Sequence, residues 1–193
     1  RGCPRKHSIN NFMKIINPAT EEVIREIGED SKQRVEEKFQ SLRAAQPAWN
    51  NIPLRERVKI LQNFSMLLKE NTEHLAMTLT SEVGKPLQQS RNEINGAIAR
   101  ITWLTENAEK YLSDEIMKVE NGLEEKISYE PLGVICNISA WNYPYLVGVN
   151  VFIPALLAGN AVMYKPSEYA TLTGLEIGKL LQQAGLPANI FHV

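Results

Sequence analysis

Residues 130–168 read EPLGVICNISAWNYPYLVGVNVFIPALLAGNAVMYKPSE. Two short apolar runs, 133–138 and 161–164, each end in a polar cluster: Ser139-Ala140-Trp141-Asn142 after the first, Lys165-Pro166-Ser167-Glu168 after the second. The apolar segment between them, 143–158, falls short of the ~20 residues that a membrane-spanning helix needs. It also contains Pro144, Asn150 and Pro154. It reads as a buried helix with Pro144 in its first turn and a kink near Pro154. Strand, helix and strand make a βαβ unit, and in open parallel sheets ligands bind at the carboxyl ends of the strands, where both polar clusters fall.

Downstream, Thr171 or Thr173 opens another helix whose apolar positions are Leu175, Ile177, Leu180 and Leu181. Gly185-Leu186-Pro187 ends it, and a strand begins at Phe191. The order from 133 is therefore β-α-β-α-β, the start of a doubly wound sheet. Gly174 and Gly178 sit inside the helical pattern and point to close helix–sheet packing. No G-x-G-x-x-G occurs, so a phosphate-cradling loop of the usual kind is absent from these residues.

Upstream, 13–16 and 22–27 read as short strands around the turn Asn17-Pro18-Ala19-Thr20. Ser31 is placed to cap a helix carrying Val35, Phe39, Leu42 and Ala45, which Pro47 is expected to stop. Pro53 suits the first turn of a second helix, with Val58, Leu61, Phe64 or Ser65, and Leu68 on its apolar face and Arg55, Arg57, Lys59 and Lys69 in solvent. Thr72 caps a third, ended by Gly84 and Pro86. A fourth covers 87–111 through Ile94, Ile98, Ile101, Leu104 and Ala108. All four are expected to lie chiefly on the parallel sheet. Strand-like runs at 114–118 and 123–128 flank Asn121-Gly122, a strong hairpin signal. Such a ribbon is either a solvated excursion or a contact arm.

The 193 residues carry 21 basic and 22 acidic side chains, a balance that gives no electrostatic reason to expect nucleic acid or an anionic membrane as partner. Cys3 and Cys136 have no CxxC spacing, which suits a reducing, cytoplasmic setting, and His7, His74 and His192 form no metal-ligand pattern. The opening residues are polar and basic without an apolar run, so no secretory signal is read. The chain opens on Arg1 and closes in a strand-like run, and a truncated chain is expected.

Asn142 follows a strand and precedes Pro144. Its amide either donates into the space at the strand's end, as an oxyanion donor would, or caps the following helix, the commoner use of Asn. Lys165 and Glu168 either bracket the vicinal hydroxyls of a ribose, where a carboxylate would repel a 2′-phosphate, or form a solvated loop. Cys136 has no basic neighbour and reads as a buried structural thiol rather than a nucleophile. Trp141 suits a core or a site wall.

Taken together, Glu130-Pro131-Leu132-Gly133-Val134, Trp141-Asn142-Tyr143-Pro144, Pro154-Ala155-Leu156-Leu157-Ala158-Gly159-Asn160, Lys165-Pro166-Ser167-Glu168 and Ala184-Gly185-Leu186-Pro187 resemble the aldehyde dehydrogenase superfamily in order and spacing. Asn17-Pro18-Ala19-Thr20, Trp49 before Arg55 and Arg57, and Glu82-Val83-Gly84-Lys85-Pro86 agree. The resemblance implies an α/β fold: a truncated Rossmann-type parallel sheet with packed helices and a projecting β-hairpin oligomerisation arm. The expected organisation is a tail at 1–12, strands and helices of the cofactor domain at 13–113, the arm at 114–130 and the start of the sheet at 131–193. It further implies oxidation of an aldehyde to an acid with NAD, or NADP, by a homo-oligomeric enzyme in which a cysteine thiolate attacks and a glutamate activates water. Asn142 takes the oxyanion role, Ile138, Ser139 and Trp141 line the cofactor, Lys165 and Glu168 hold the adenosine ribose, and no metal is needed. Ala140 stands where many members have Pro. The family's nucleophilic Cys, its base and its Gly-containing phosphate segment are expected beyond Val193, which would leave this N-terminal portion inactive alone. The alternative is a non-catalytic truncated product acting as a binding or assembly module.

Overall fold

A computed structural model of the chain describes residues 12–193. The expected tail at 1–12 therefore lies outside the described residues except for Phe12, which already belongs to a strand. That strand, β1 (Phe12–Ile16), pairs antiparallel with β2 (Val23–Gly28). Four helices follow: α1 (Lys32–Asn50), α2 (Leu54–Glu70), α3 (Thr72–Val83) and α4 (Leu87–Leu112). A second hairpin, β3 (Glu115–Glu120) and β4 (Leu123–Ile127), leads to the parallel unit. That unit comprises β5 (Val134–Ile138), α5 (Pro144–Leu157), β6 (Ala161–Lys165), α6 (Thr171–Gln183) and β7 (Phe191–His192), with strand order β5-β6-β7.

The local signals act largely as read. Ser31 Oγ accepts the Arg34 N–H at 3.2 Å and caps α1. Gly84 closes α3 at φ +76°, the left-handed region where a side chain is strained. Asn121 and Gly122 both have positive φ, 53° and 77°, as a two-residue hairpin turn requires. Gly174 and Gly178 serve packing: a Cβ at Gly174 would lie 2.6 Å from Pro166, and one at Gly178 2.9 Å from Val193.

Four expectations are corrected. Pro47 does not stop α1, which runs on to Asn50 because Trp49 is buried and its indole N–H donates to the Leu156 carbonyl at 3.0 Å. One forfeited helical bond is outweighed by that tertiary anchor. Arg57 is buried rather than solvated, and its Nη1 donates to the Asn50 carbonyl at 3.0 Å. Thr72 does not cap α3. Its hydroxyl donates backward to the Leu68 and Lys69 carbonyls, so it closes α2 instead. Finally, α1 packs along all three strands, whereas α2, α3 and α4 pack chiefly on one another and on α5 and α6. The sheet formed by the described residues has three strands, so most of the amphipathic helices bury their stripes on other helices.

The core joins these layers through aromatic rings. Phe152 of α5 meets Phe64 of α2, Tyr164 of β6 and Phe191 of β7 edge-on, at centroid distances of 6.2, 5.8 and 5.4 Å. Phe152→Ala is expected to destabilise the chain by about 3–5 kcal/mol in urea unfolding. A loss below about 1 kcal/mol would mean that this cluster does not organise the core.

Candidate functional site

Strands β5 and β6 run in register, with Ile138 beside Lys165. The Ser139 N–H donates to the Lys165 carbonyl at 3.0 Å, so the strand tips stay joined one residue past β5. Register and alternation place Cys136, Ile138, Met163 and Lys165 on one face of the sheet. That face is open near the carboxyl edge: Ile138 is 73% exposed, and Cys136 is exposed as well. The expectation of a buried Cys136 is thereby overturned. β5 opens the βαβ unit and, among the described residues, lies at the edge of its three-stranded sheet.

Lys165 Nζ and a Glu168 carboxylate oxygen lie 3.9 Å apart, both largely exposed. A backbone N–H, the Ser167 hydroxyl at 3.1 Å and the Lys165 charge hold the Glu168 carboxyl below the usual glutamate range. Trp141 and Glu168 line a mainly apolar cavity of about 600 Å³ together with Met13, Ile15, Pro18, Val83 and Tyr169. The contribution of the N-terminal hairpin to that wall has no signal in the local sequence. The Ser139 hydroxyl is buried and has no hydrogen-bond partner among the described residues.

Asn142 lies in a bend at 141–143, exposed, directly before α5. It does not cap that helix. The N-terminal N–H groups of α5 go to Glu93 of α4, whose Oε1 accepts from Tyr145 at 2.8 Å and from Leu146 at 3.5 Å. The Asn142 amide is thus left for another partner, while its backbone carbonyl accepts from Lys85 Nζ at 2.5 Å. Lys85 also pairs with Glu93 and sits 3.9 Å from the centroid of the Tyr143 ring.

Glu82 of α3 does for α6 what Glu93 does for α5. Its carboxylate accepts the Leu172 N–H at 2.8 Å, the Thr173 N–H at 2.7 Å and the Thr173 hydroxyl. Both glutamates are buried, 4% and 3% exposed, and desolvation raises both carboxyl pKa values despite these donors. The sequence held a signal for each. Glu82 extends the buried stripe Leu75, Leu79, and Glu93 precedes Ile94, Ala97 and Ile101 on another, so each acid stands at an apolar position.

The aldehyde dehydrogenase family model matches residues 5–193. The chain is 33% identical over 181 residues to 3,6-anhydro-alpha-L-galactose dehydrogenase of Vibrio sp. (strain EJY3), covering 93% of this chain and 38% of that protein. Among solved structures, an aldehyde dehydrogenase from Brucella melitensis biovar abortus 2308 superposes with a TM-score of 0.89 at 31% identity, over 94% of this chain and 38% of that one. The structure of a 3,6-anhydro-L-galactose dehydrogenase in complex with NAP gives 0.87 at 31% identity, over 95% and 39%. The chain belongs to the aldehyde dehydrogenase family, and it spans somewhat over a third of the length of these relatives.

The raised carboxyl of Glu82 makes stability depend on pH. Between the ordinary and the raised glutamate pKa the folded chain binds a proton that the unfolded chain has released. That contribution is present below the ordinary value and is lost as pH rises through the raised one. Relative to Glu82→Gln, the unchanged chain is expected to gain stability in urea unfolding as pH falls from about 7 toward about 4.5. A difference independent of pH would show that this carboxyl is not raised.

Proposed function

We propose that the protein to which these residues belong oxidises an aldehyde to a carboxylic acid with NAD or NADP, and that this chain supplies its oxyanion donor and ribose clamp. The observation that carries the reading is the division of labour before α5: Glu93 takes the helix N-terminus and leaves the Asn142 amide unused at the sheet's carboxyl edge. When a nucleophile adds to a carbonyl, negative charge builds on its oxygen, and a fixed amide N–H aimed there stabilises that charge. The exposed Lys165–Glu168 pair, beside strand ends joined by a backbone bond, fits a polyhydroxylated cofactor. Lys165 would donate to one ribose hydroxyl of the bound cofactor and Glu168 would accept from its neighbour. Ile138 and Trp141 offer apolar surface beside them. The nicotinamide, when bound, supplies the hydride acceptor.

Glu168 disfavours a 2′-phosphate by charge and supports a preference for NAD, although the related anhydrogalactose dehydrogenase was solved with NAP. In the full-length enzyme, Asn142→Ala is expected to lower kcat by about 10²-fold. Glu168→Ala is expected to narrow the NAD-to-NADP ratio of kcat/KM. Unchanged values in either case would remove the corresponding role.

We place the enzyme in the cytoplasm, on its sparse, unpatterned cysteines, and no described helix is long and apolar enough to cross a membrane. The domain boundaries at 113/114 and 130/131 follow the same reading. The β3–β4 hairpin exposes Ile116, Met117, Val119, Leu123 and Ile127, which supports a subunit-pairing arm and also the alternative of an assembly module. The pure 193-residue chain is expected to elute larger than a single copy and to form no NADH from aldehydes. A monomer peak would count against the arm, and aldehyde-dependent NADH against the need for further residues.

A further inference from the structure

We propose that Lys85 and Glu93 are the positioning pair of this site: together they hold the bend at 141–143 so that the Asn142 amide stands fixed at the end of β5. The inference rests on the oxyanion role of Asn142 proposed above. An oxyanion donor is effective only when it is held in place before charge develops. The bend has no helix or ladder of its own, and among the described residues Asn142 is held through its backbone carbonyl. Its restraints come from the α3–α4 corner. Lys85 Nζ donates to the Asn142 carbonyl at 2.5 Å, lies over the Tyr143 ring at 3.9 Å and pairs with Glu93. Glu93 in turn takes the Tyr145 N–H at 2.8 Å. The backbone is therefore tied on Asn142 itself and three residues later, and both ties meet at one ion pair.

That pair is itself held firmly. The Lys85 side chain is only 9% exposed and that of Glu93 fully buried, so neither has an ordinary solvated alternative. Lys85 stands between Gly84, the left-handed cap of α3, and Pro86, the N-cap of α4. A Cβ at Gly84 would lie 2.9 Å from Pro18, so the N-terminal turn presses on the same corner. A lysine whose work ended at Glu93 would have no need of the Asn142 carbonyl and the Tyr143 face.

A double-substitution cycle in the full-length enzyme tests this. Lys85→Met is expected to lower kcat by at least about tenfold, with KM for aldehyde and cofactor changed by less than about threefold, and Lys85→Arg to recover part of the loss. Adding Asn142→Ala to Lys85→Met is expected to cost less than about threefold more, against about 10²-fold on its own. If Lys85→Met does not fold, Glu93→Gln gives the same cycle, because it keeps an acceptor for Tyr145 and loses the charge. Unchanged kcat in Lys85→Met, or an Asn142→Ala loss of equal size in both backgrounds, would overturn the positioning role while leaving the oxyanion role intact. No loss from Asn142→Ala alone would remove the oxyanion reading, and the positioning role with it.

Discussion

The first turn of an α-helix presents backbone N–H groups with no partner inside the helix, and burying them unpaired is costly. Both helices that connect the strands of this sheet meet that constraint without a cap of their own. No side chain from the neighbouring sequence caps α5 or α6. Glu93 reaches from α4 to the first, and Glu82 from α3 to the second. A negative charge at a helix N-terminus is also favoured by the helix dipole. Two carboxylates thus fasten the outer helical layer to the inner one at two points, and each depends on the other layer to make its burial tolerable.

The arrangement bears directly on the site. In many α/β folds the N-terminus of the first helix after a strand receives a phosphate. Here Glu93 occupies that place on α5, which accords with the absence of a Gly-rich phosphate loop in these residues. The strand ends leave a lysine and a glutamate 3.9 Å apart, and an asparagine with no side-chain hydrogen bond among the described residues, as the groups on which the proposed function rests. Packing supports this from below, where the Phe152 ring joins α5 to β6 and β7 through Tyr164 and Phe191.

The elements were legible wherever local chemistry decides them. Ser31, Gly84, Asn121-Gly122 and Pro144 mark ends and turns through their own backbone preferences, and those preferences hold in the fold. The short apolar strand runs and the βαβ order were legible as well. Pro47, Arg57 and Cys136 were misread because each is governed by a distant partner or by its place in the sheet. Trp49 carries α1 through Pro47, the Asn50 carbonyl draws Arg57 inward, and the open face of β5 exposes Cys136.

The candidate site divides along the same line. Strand, turn and helix lengths fix where Asn142, Lys165 and Glu168 must fall, so the residues at the strand ends follow from the order of the amino acids. The sequence also carried the motif order that marks the family. Only the tertiary structure decided whether Asn142 caps α5 or keeps its amide free, because the competing cap, Glu93, lies 49 residues earlier on another helix. Capping is a short-range hydrogen bond, but the choice of capping group depends on which side chains packing brings within about 3 Å.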